Sequence, residues 1–236
     1  MATVRPIFFL FALLLALSAL SACGGESAPA ATSTPPPAAA SSAPAQPAAA
    51  SLPDDPKAAV LQALRAQLTA GPYRTTTKIT VDGDDQTAVA TLIPPDRMHL
   101  IMDLGGMKTE MIYIGDKVWS RQGDAAWVES DNMGTPGGAL LDEAMIADTE
   151  QTITAAALAG QEQVDGVAAL LYTFTTDLSR STVMPMEGVA DTKLWVDAAT
   201  GRIIRQESTT TAAGTTSTTV QVVEYDPAIT IEPPIQ

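Results

Sequence analysis

The sequence predicts an α+β domain in which a curved, mostly antiparallel sheet of about nine to eleven strands forms an unclosed half-barrel over an N-terminal helix and a short internal helix. Short runs rich in Thr and β-branched residues follow one another from residue 73 to residue 225. Asp-Gly pairs and other Gly-containing turns, which are typical of hairpins, separate these runs. One helical pattern precedes the runs and another interrupts them, which indicates a sheet that curls around its helices.

The N-terminal helix is predicted from its start, its apolar stripe and its end. Asp54 or Asp55 can cap it, and Pro56 suits a first helical turn. Gly71-Pro72 ends it. Apolar residues recur at helical spacing between these limits, at Val60, Leu61, Leu64 and Leu68.

The strands are predicted from alternating residues bounded by turns, and a second, short helix is expected at Ala139–Ala147. The Thr-rich segment Thr209–Thr219 has few apolar residues and predicts a solvent-exposed edge of the sheet. The predicted strands are Tyr73–Val81, Gln86–Ile93, Arg97–Leu104, Met107–Ile114, Lys117–Arg121, Ala126–Glu129, Thr154–Gln163, Ala168–Asp177, Thr192–Asp197, Arg202–Thr211 and Thr215–Tyr225.

The N-terminus has the pattern of a secretory signal. Arg5 precedes an apolar run, Ile7 to Leu20, that is short for a membrane span, and small residues follow it. The end of this run, Leu20-Ser21-Ala22-Cys23, resembles the lipobox of bacterial lipoproteins. The resemblance implies cleavage after residue 22 and a lipid on the sulfur of Cys23, so residues 1–22 are interpreted as a lipoprotein signal peptide. Acyl chains on this residue would hold the protein on the extracytoplasmic side of the cell membrane.

Residues 23–53 are interpreted as the lipidated Cys followed by a disordered linker rich in Ala, Pro, Ser and Thr. The run Pro35-Pro36-Pro37 favours an extended coil, and no periodic apolar face could form a core. The folded domain is therefore expected at 54–236, which is long enough for one core of useful size.

Composition excludes several classes of function. The net charge is −14, with 13 Lys and Arg against 27 Asp and Glu, so the chain repels nucleic acid. The single Cys and single His exclude an internal disulfide, Cys-rich zinc sites and Cys–His nucleophile pairs. We therefore expect a protein that is not an enzyme and that holds no metal or cofactor.

Several segments in order resemble the LolA/LppX/LprG superfamily of lipoprotein-carrier folds. They are the N-terminal helix leading into a Tyr- and Thr-rich strand, "IYIGDKVWSR" (Ile112–Arg121), "GQEQVDGVAALLYTF" (Gly160–Phe174), "TKLWVDAATGRIIRQES" (Thr192–Ser208) and the ending "VEYDPAITIEPP" (Val223–Pro234). The resemblance implies an unclosed barrel with an apolar cavity between sheet and helices. This superfamily includes carriers of lipidated proteins, carriers of glycolipids and sensors that act on anti-sigma factors.

One Met-rich face is the candidate wall of that cavity. Met is flexible and polarisable, which suits a pocket for variable acyl chains, although an ordinary core beneath the helices would have the same pattern. This face is drawn from two neighbouring strands and comprises Met98, Leu100, Met102, Leu104, Met107, Met111 and Tyr113.

Other candidate sites have simpler explanations. His99 alternates onto the more polar face of its strand, where a surface role is expected. The acidic turn with Asp82, Asp84 and Asp85 lacks the twelfth-position Glu of a calcium loop, because Ile93 stands there. Trp119, Trp127 and Trp195 lie on strands, and the sequence leaves open whether they pack the sheet or surround the cavity.

Two functions follow from these observations. The first is a membrane-anchored lipoprotein that binds or carries a lipid or another hydrophobic ligand in an apolar cavity, without catalysis. The alternative is a cell-envelope sensor or protein-binding lipoprotein whose cavity is filled by side chains. The expected partners are the membrane through Cys23, a lipid or lipidated ligand and an envelope protein.

Overall fold

The computed structural model describes residues 51–104, 106–131, 142–183 and 185–234. Two α-helices and eleven β-strands lie in this part of the chain, together with one short 3-10 turn at Leu178–Arg180. In chain order they are α1 (Pro56–Leu68), β1 (Tyr73–Val81), β2 (Asp84–Ile93), β3 (Arg97–Leu104), β4 (Met107–Ile114), β5 (Lys117–Gln122), β6 (Val128–Asp131), α2 (Glu143–Thr152), β7 (Ile153–Val164), β8 (Val167–Asp177), β9 (Gly188–Asp197), β10 (Ile203–Ala212) and β11 (Thr215–Tyr225).

All eleven strands form one antiparallel sheet in the order β6-β5-β4-β3-β2-β1-β11-β10-β9-β8-β7. Within the described residues β6 and β7 are the two free edges, so the sheet is not closed. The pairing of β1 with β11 joins the first and last strands at the centre of the sheet. The predicted fold class, an unclosed half-barrel over two helices, is confirmed.

The hairpins form where the sequence predicts them. Asp82-Gly83 and Asp165-Gly166 each place both residues at positive φ, with values of 53° and 91° in the first turn and 50° and 83° in the second. Two successive residues at positive φ are the geometry of a tight two-residue hairpin, which Asp and Gly adopt readily.

Helix α1 begins as predicted. The side chain of Asp55 accepts a hydrogen bond from the backbone N–H of Ala58 at 2.7 Å, and Pro56 occupies the first helical position. The helix buries Ala59, Val60 and Ala63 completely.

The second helix forms near its predicted position, Ala139–Ala147, but it ends later than predicted, because α2 runs to Thr152. Residues 139–141 of the predicted range lie outside the described residues. Asp142 is the N-cap, because its side chain accepts a hydrogen bond from the Met145 N–H at 2.7 Å. Thr149 lies in the last turn and donates its hydroxyl back to the Met145 carbonyl, so a polar segment continues the helix.

The main core lies between the helices and one face of the sheet, called here the inner face. One continuous cluster joins helix α1 to strands in both halves of the sheet. Its buried members are Ala59, Val60, Ala63, Tyr73, Ala88, Ala90, Leu92, Met98, Leu100, Met102, Ile153, Tyr172, Leu194, Val196, Ile203 and Val223. These residues all belong to the segment after residue 50, so this part of the chain has a core of its own.

The opposite, outer face carries two smaller hydrophobic clusters, and each contains a tryptophan. Trp119 packs with Ile112 and with Ile231 of the C-terminal segment. Trp195 packs with Leu171 on the other half of the sheet. Both residues therefore pack the sheet on its outer face, while Trp127 adds to the first cluster as a partly buried side chain.

The Thr-rich segment is not an edge of the sheet, so that part of the prediction is wrong, although none of its residues is buried. It contains the end of β10, the start of β11 and the turn between them, and these strands lie between β1 and β9 at the centre of the sheet. Its low apolar content therefore marks central strands whose inner face is polar. The proposed division of the chain at residues 22 and 53 stays a prediction, because residues 1–50 lie outside the described part.

Candidate ligand-binding face

The Met-rich residues of β3 and β4 share the inner face with helix α1. Met98 is paired with Tyr113 and Leu100 with Met111 in the β3–β4 register. Met98, Leu100 and Met102 are 3%, 8% and 8% exposed and belong to the main core. Met111 and Tyr113 are partly buried against the same core. The side chains of Leu104 and Met107 lie outside the described residues. Whether the set forms a cavity wall stays a proposal.

An open pocket lies elsewhere, across the middle of β7–β11. Its volume is about 560 Å³, and it is partly open to solvent. Three consecutive residues from each of the five strands line it, and the middle residues are Ala156, Phe174, Thr192, Ser208 and Thr219.

These middle residues form one row across the inner face. Phe174 is paired with both Ala156 and Thr192, and Ser208 with both Thr192 and Thr219. Ala156 and Phe174 also pack against the main core, which places the row on the helix-bearing face. Since Ala, Ser and Thr are small, this row leaves space that larger side chains would fill.

The chemistry of the row changes along its length. Ala156 and Phe174 offer apolar contact near β7, whereas the hydroxyls of Thr192 and Ser208 lie 3.2 Å apart and hydrogen-bond to each other. A ligand along this row would meet apolar atoms at one end and neutral hydroxyl groups at the other, while Asp191, Lys193 and Glu207, which alternate with the row, also line the pocket.

A second pocket of about 440 Å³ lies near the opposite edge of the sheet. Met111 lines it together with Thr109, Ser120 and Val128, among others. Met111 is thus the member of the predicted set that borders open space in the described structure.

Two tyrosines pack together in the main core on the inner face: Tyr73 is buried, and Tyr225 is partly buried. The rings of Tyr73 and Tyr225 are 5.7 Å apart between centroids. Burial raises the pKa of Tyr73 to about 12. Burial likewise raises the pKa of Tyr225 to about 12, although a hydrogen bond with Gln67 of α1 acts in the opposite direction. Both phenols are therefore neutral at physiological pH and add no charge to this face.

His99 lies on the outer face, as the alternation predicts, but it takes part in a network. Its Nε2 is 2.7 Å from Glu110 Oε1, and Arg121 donates to Glu110 Oε2 at 2.6 and 2.8 Å. Burial alone would raise the pKa of Glu110. The hydrogen bonds with Arg121 and His99 outweigh this effect, so the pKa of the Glu110 carboxyl is lowered from its ordinary value. This network stabilises strands β3–β5 and is remote from the inner face.

Two searches of the described residues bear on other chemistry. No group of three or more His, Cys, Asp or Glu side chains there could hold a metal ion. None of the helices in the described part is long and apolar enough to cross a membrane.

The polar row was missed in the sequence. Its residues lie in five separate predicted strands, with only Thr219 inside the Thr-rich segment, and the register of the five strands brings them together. The available signal was the alternation of hydroxyl residues in β10 and β11, which is compatible with an inward polar face as well as with solvent exposure.

Similarity to solved structures agrees with this architecture. LprF from Mycobacterium bovis matches with a TM-score of 0.50 and 15% identity, covering 75% of this chain and 97% of that chain. Lipoprotein LppX of Mycobacterium tuberculosis matches with a TM-score of 0.51 and 12% identity, covering 76% of this chain and 100% of that chain. A LolA-superfamily protein of Nitrosomonas europaea matches more loosely, with a TM-score of 0.30 and 9% identity, covering 72% of this chain and 91% of that chain.

The class of fold follows from the sheet and from the likeness to LprF and LppX: the chain has the LolA/LppX/LprG-like fold. No family model and no curated protein matches the sequence, so the resemblance predicted from its segments is confirmed at the level of fold.

Proposed function

We propose that the protein is a membrane-anchored lipoprotein that binds or carries a lipid or another hydrophobic ligand, without catalysis. The observation that carries this proposal is the open pocket on the helix-bearing face of an unclosed sheet. Two residues that line this pocket, Ala156 and Phe174, also pack against the main core. An apolar chain in the pocket would therefore contact apolar side chains.

The driving force in this proposal is burial of apolar surface. Each Å² of ligand surface removed from water contributes about 25 cal/mol. No covalent step is needed, and the similarity in fold to lipoprotein LppX is compatible with such a role. The predicted Met-rich set lies on the same face beside this pocket. Met98, Leu100 and Met102 pack in the core, whereas Met111, Tyr113, Leu104 and Met107 would border a ligand that extends across the face toward the second pocket.

The anchor is a separate part of the proposal and depends on the Leu20–Cys23 segment. Acyl chains on Cys23 would hold the domain at the extracytoplasmic surface of the membrane, and the Pro- and Ala-rich segment would give it reach. A domain held in this way would meet lipids that leave the bilayer.

Native mass spectrometry tests the proposal directly. The segment Ser51–Gln236, which contains the whole described core, is purified without detergent from a lipid-containing host. We expect an added mass that matches a lipid and disappears on extraction with organic solvent. The full-length chain extracted from membranes serves as a second sample, in which the mature N-terminus is expected at Cys23 with acyl chains attached.

A protein mass that stays bare after incubation with lipid vesicles would contradict lipid binding. One observation would then favour the sensory or protein-binding alternative. The edge strand β7 exposes an apolar side chain, with Leu158 51% exposed. A free strand edge with exposed apolar residues can pair with an extended segment of another protein.

A further inference from the structure

Polar residues also lie on the inner face of β11, β1 and β2 beyond the pocket lining, where the apolar Ile79 separates Thr219 from Gln86. Thr219 is paired with Ile79 of β1, and Ile79 is paired with Gln86 of β2. In the adjacent row Gln221 is paired with Thr77, and its Nε2 donates to the Thr77 hydroxyl at 3.2 Å. We call this set the amide–hydroxyl patch; it comprises Thr77, Gln86, Thr192, Ser208, Thr219 and Gln221.

Gln86 is the unusual member of the amide–hydroxyl patch. It is only 7% exposed, and its Oε1 has no hydrogen-bond partner among the described residues. It alternates with Ala88, Ala90 and Leu92, all buried on the inner face, so its side chain belongs to that face. Leaving a buried acceptor unpaired is costly, and such groups in native proteins usually have a partner that completes them.

The patch carries no charged side chain. Asp191, Lys193 and Glu207 border the pocket, but they alternate with Thr192 and Ser208 and so belong to the outer side of β9 and β10, where Glu207 pairs with Arg205 at 2.6 Å. Burying an ionised phosphate among neutral groups would be unfavourable, and the net charge of −14 adds to that cost. The group that fits is therefore uncharged.

A hydroxyl group has the required chemistry. It can donate to the Gln86 Oε1 and also accept from an amide N–H or from a neighbouring hydroxyl. It therefore suits the side-chain amide of Gln86 in either of its two orientations.

We propose that the amide–hydroxyl patch binds a hydroxyl group of the ligand and that Gln86 is the residue that recognises it. This inference rests on the proposed function and deepens it. The apolar part of the ligand would lie along Phe174 and Ala156, and its hydroxyl would lie toward β1 and β2.

A matched pair of lipids tests the inference on the Ser51–Gln236 segment. The probes are dioctanoylglycerol, which has one free hydroxyl, and its methyl ether, which keeps the oxygen but cannot donate. Binding is measured by titration in native mass spectrometry. We expect the wild-type protein to prefer the free hydroxyl by about tenfold, the value of one hydrogen bond to a buried acceptor.

The variant Gln86→Leu removes the acceptor and keeps a side chain of similar volume. We expect it to bind both probes equally, at the affinity that the wild-type protein has for the methyl ether. Its midpoint of urea unfolding is expected to stay equal or to rise, because a buried unpaired acceptor is gone. The control Gln151→Leu, at an exposed position on α2, is expected to keep the wild-type preference.

Three outcomes would overturn the inference. Equal binding of the two probes by the wild-type protein would mean that Gln86 is satisfied by water alone, while lipid binding itself would stand. A preference that survives in Gln86→Leu would place the hydroxyl elsewhere. Binding of neither probe would refute the proposed function and this inference together.

Discussion

The two halves of the inner face differ in how completely side chains fill them. On β2–β4 the large residues Met98, Leu100 and Met102 are at most 8% exposed and form part of the continuous core. On β7–β11 small residues such as Thr192 and Ser208 border an open pocket of about 560 Å³. Both halves belong to one antiparallel sheet and share a face with the same helix.

This difference shows that side-chain volume, more than apolar character, decides where a sheet of this shape stays open. Met and Leu fill the space between sheet and helix, because protein interiors pack as densely as organic crystals. Ala, Ser and Thr cannot fill it. A Met-rich strand is therefore as compatible with a packed core as with a cavity, and the open space on this sheet follows the smaller residues.

The largest effect is expected from removing a large side chain in the packed half. Met98→Ala should lower the free energy of unfolding by about 2–5 kcal/mol, since it leaves a cavity in a filled region. Urea unfolding measures the change, and Met145→Ala, at a residue 37% exposed, is the control with a change of about 0.5 kcal/mol or less. A small loss for Met98→Ala, together with increased lipid binding, would instead make Met98 part of the cavity wall and contradict the contrast between the halves.

Filling the pocket of the open half should weaken lipid binding strongly and change the free energy of unfolding only slightly. Thr219→Leu adds volume to the pocket and should weaken lipid binding about tenfold or more, while the free energy of unfolding changes by about 1 kcal/mol or less, because space is available. Thr211→Leu is the matched control, since this exposed residue lies on β10 beyond the pocket lining. Unchanged lipid binding in Thr219→Leu would show that the ligand occupies another part of the molecule.

The smallest effect concerns the outer face of the packed half. Glu110→Gln should lower the free energy of unfolding by about 1–2 kcal/mol at neutral pH, as it weakens the hydrogen bonds with Arg121 and His99. The pKa of Glu110 is lowered in the folded state, so its contribution is present above the carboxyl's unfolded pKa and is lost as the pH falls through the folded pKa.

Urea unfolding at several pH values below the ordinary carboxyl pKa measures this effect. The wild-type protein should lose more stability with falling pH than Glu110→Gln does. Parallel curves for the two proteins would mean that the network on the outer face contributes nothing through ionisation, and that packing alone stabilises this half.

Much of the fold could be predicted from local signals. The cap at Asp55 and the Asp-Gly turns are decided by backbone chemistry within a few residues, so their positions in the sequence mark them directly. The shared inner face of Met98 and Leu100 likewise follows from alternation, and the β3–β4 register agrees with it. Helix α2 ends later than predicted because a polar segment without an apolar stripe continues it.

The candidate site could be predicted only in part. The sequence predicts the correct face but points to its largest apolar residues, whereas the open pocket is lined by small and polar residues from five strands, including Thr209, Thr218 and Thr219 of the Thr-rich hairpin. Gln86 gave no signal, since a polar residue near the start of a strand is ordinary until its burial is known.

The sequence by itself determined the antiparallel strands, the first helix and the side of each strand that faces the helices, because these depend on periodicity and on turns. Only the tertiary structure decided that the Thr-rich strands are central, that Ala156, Phe174, Thr192, Ser208 and Thr219 form one row, and that Gln86 is buried near its end. The physical reason is that cross-strand register and side-chain volume act between residues far apart in the chain, and no local pattern contains them.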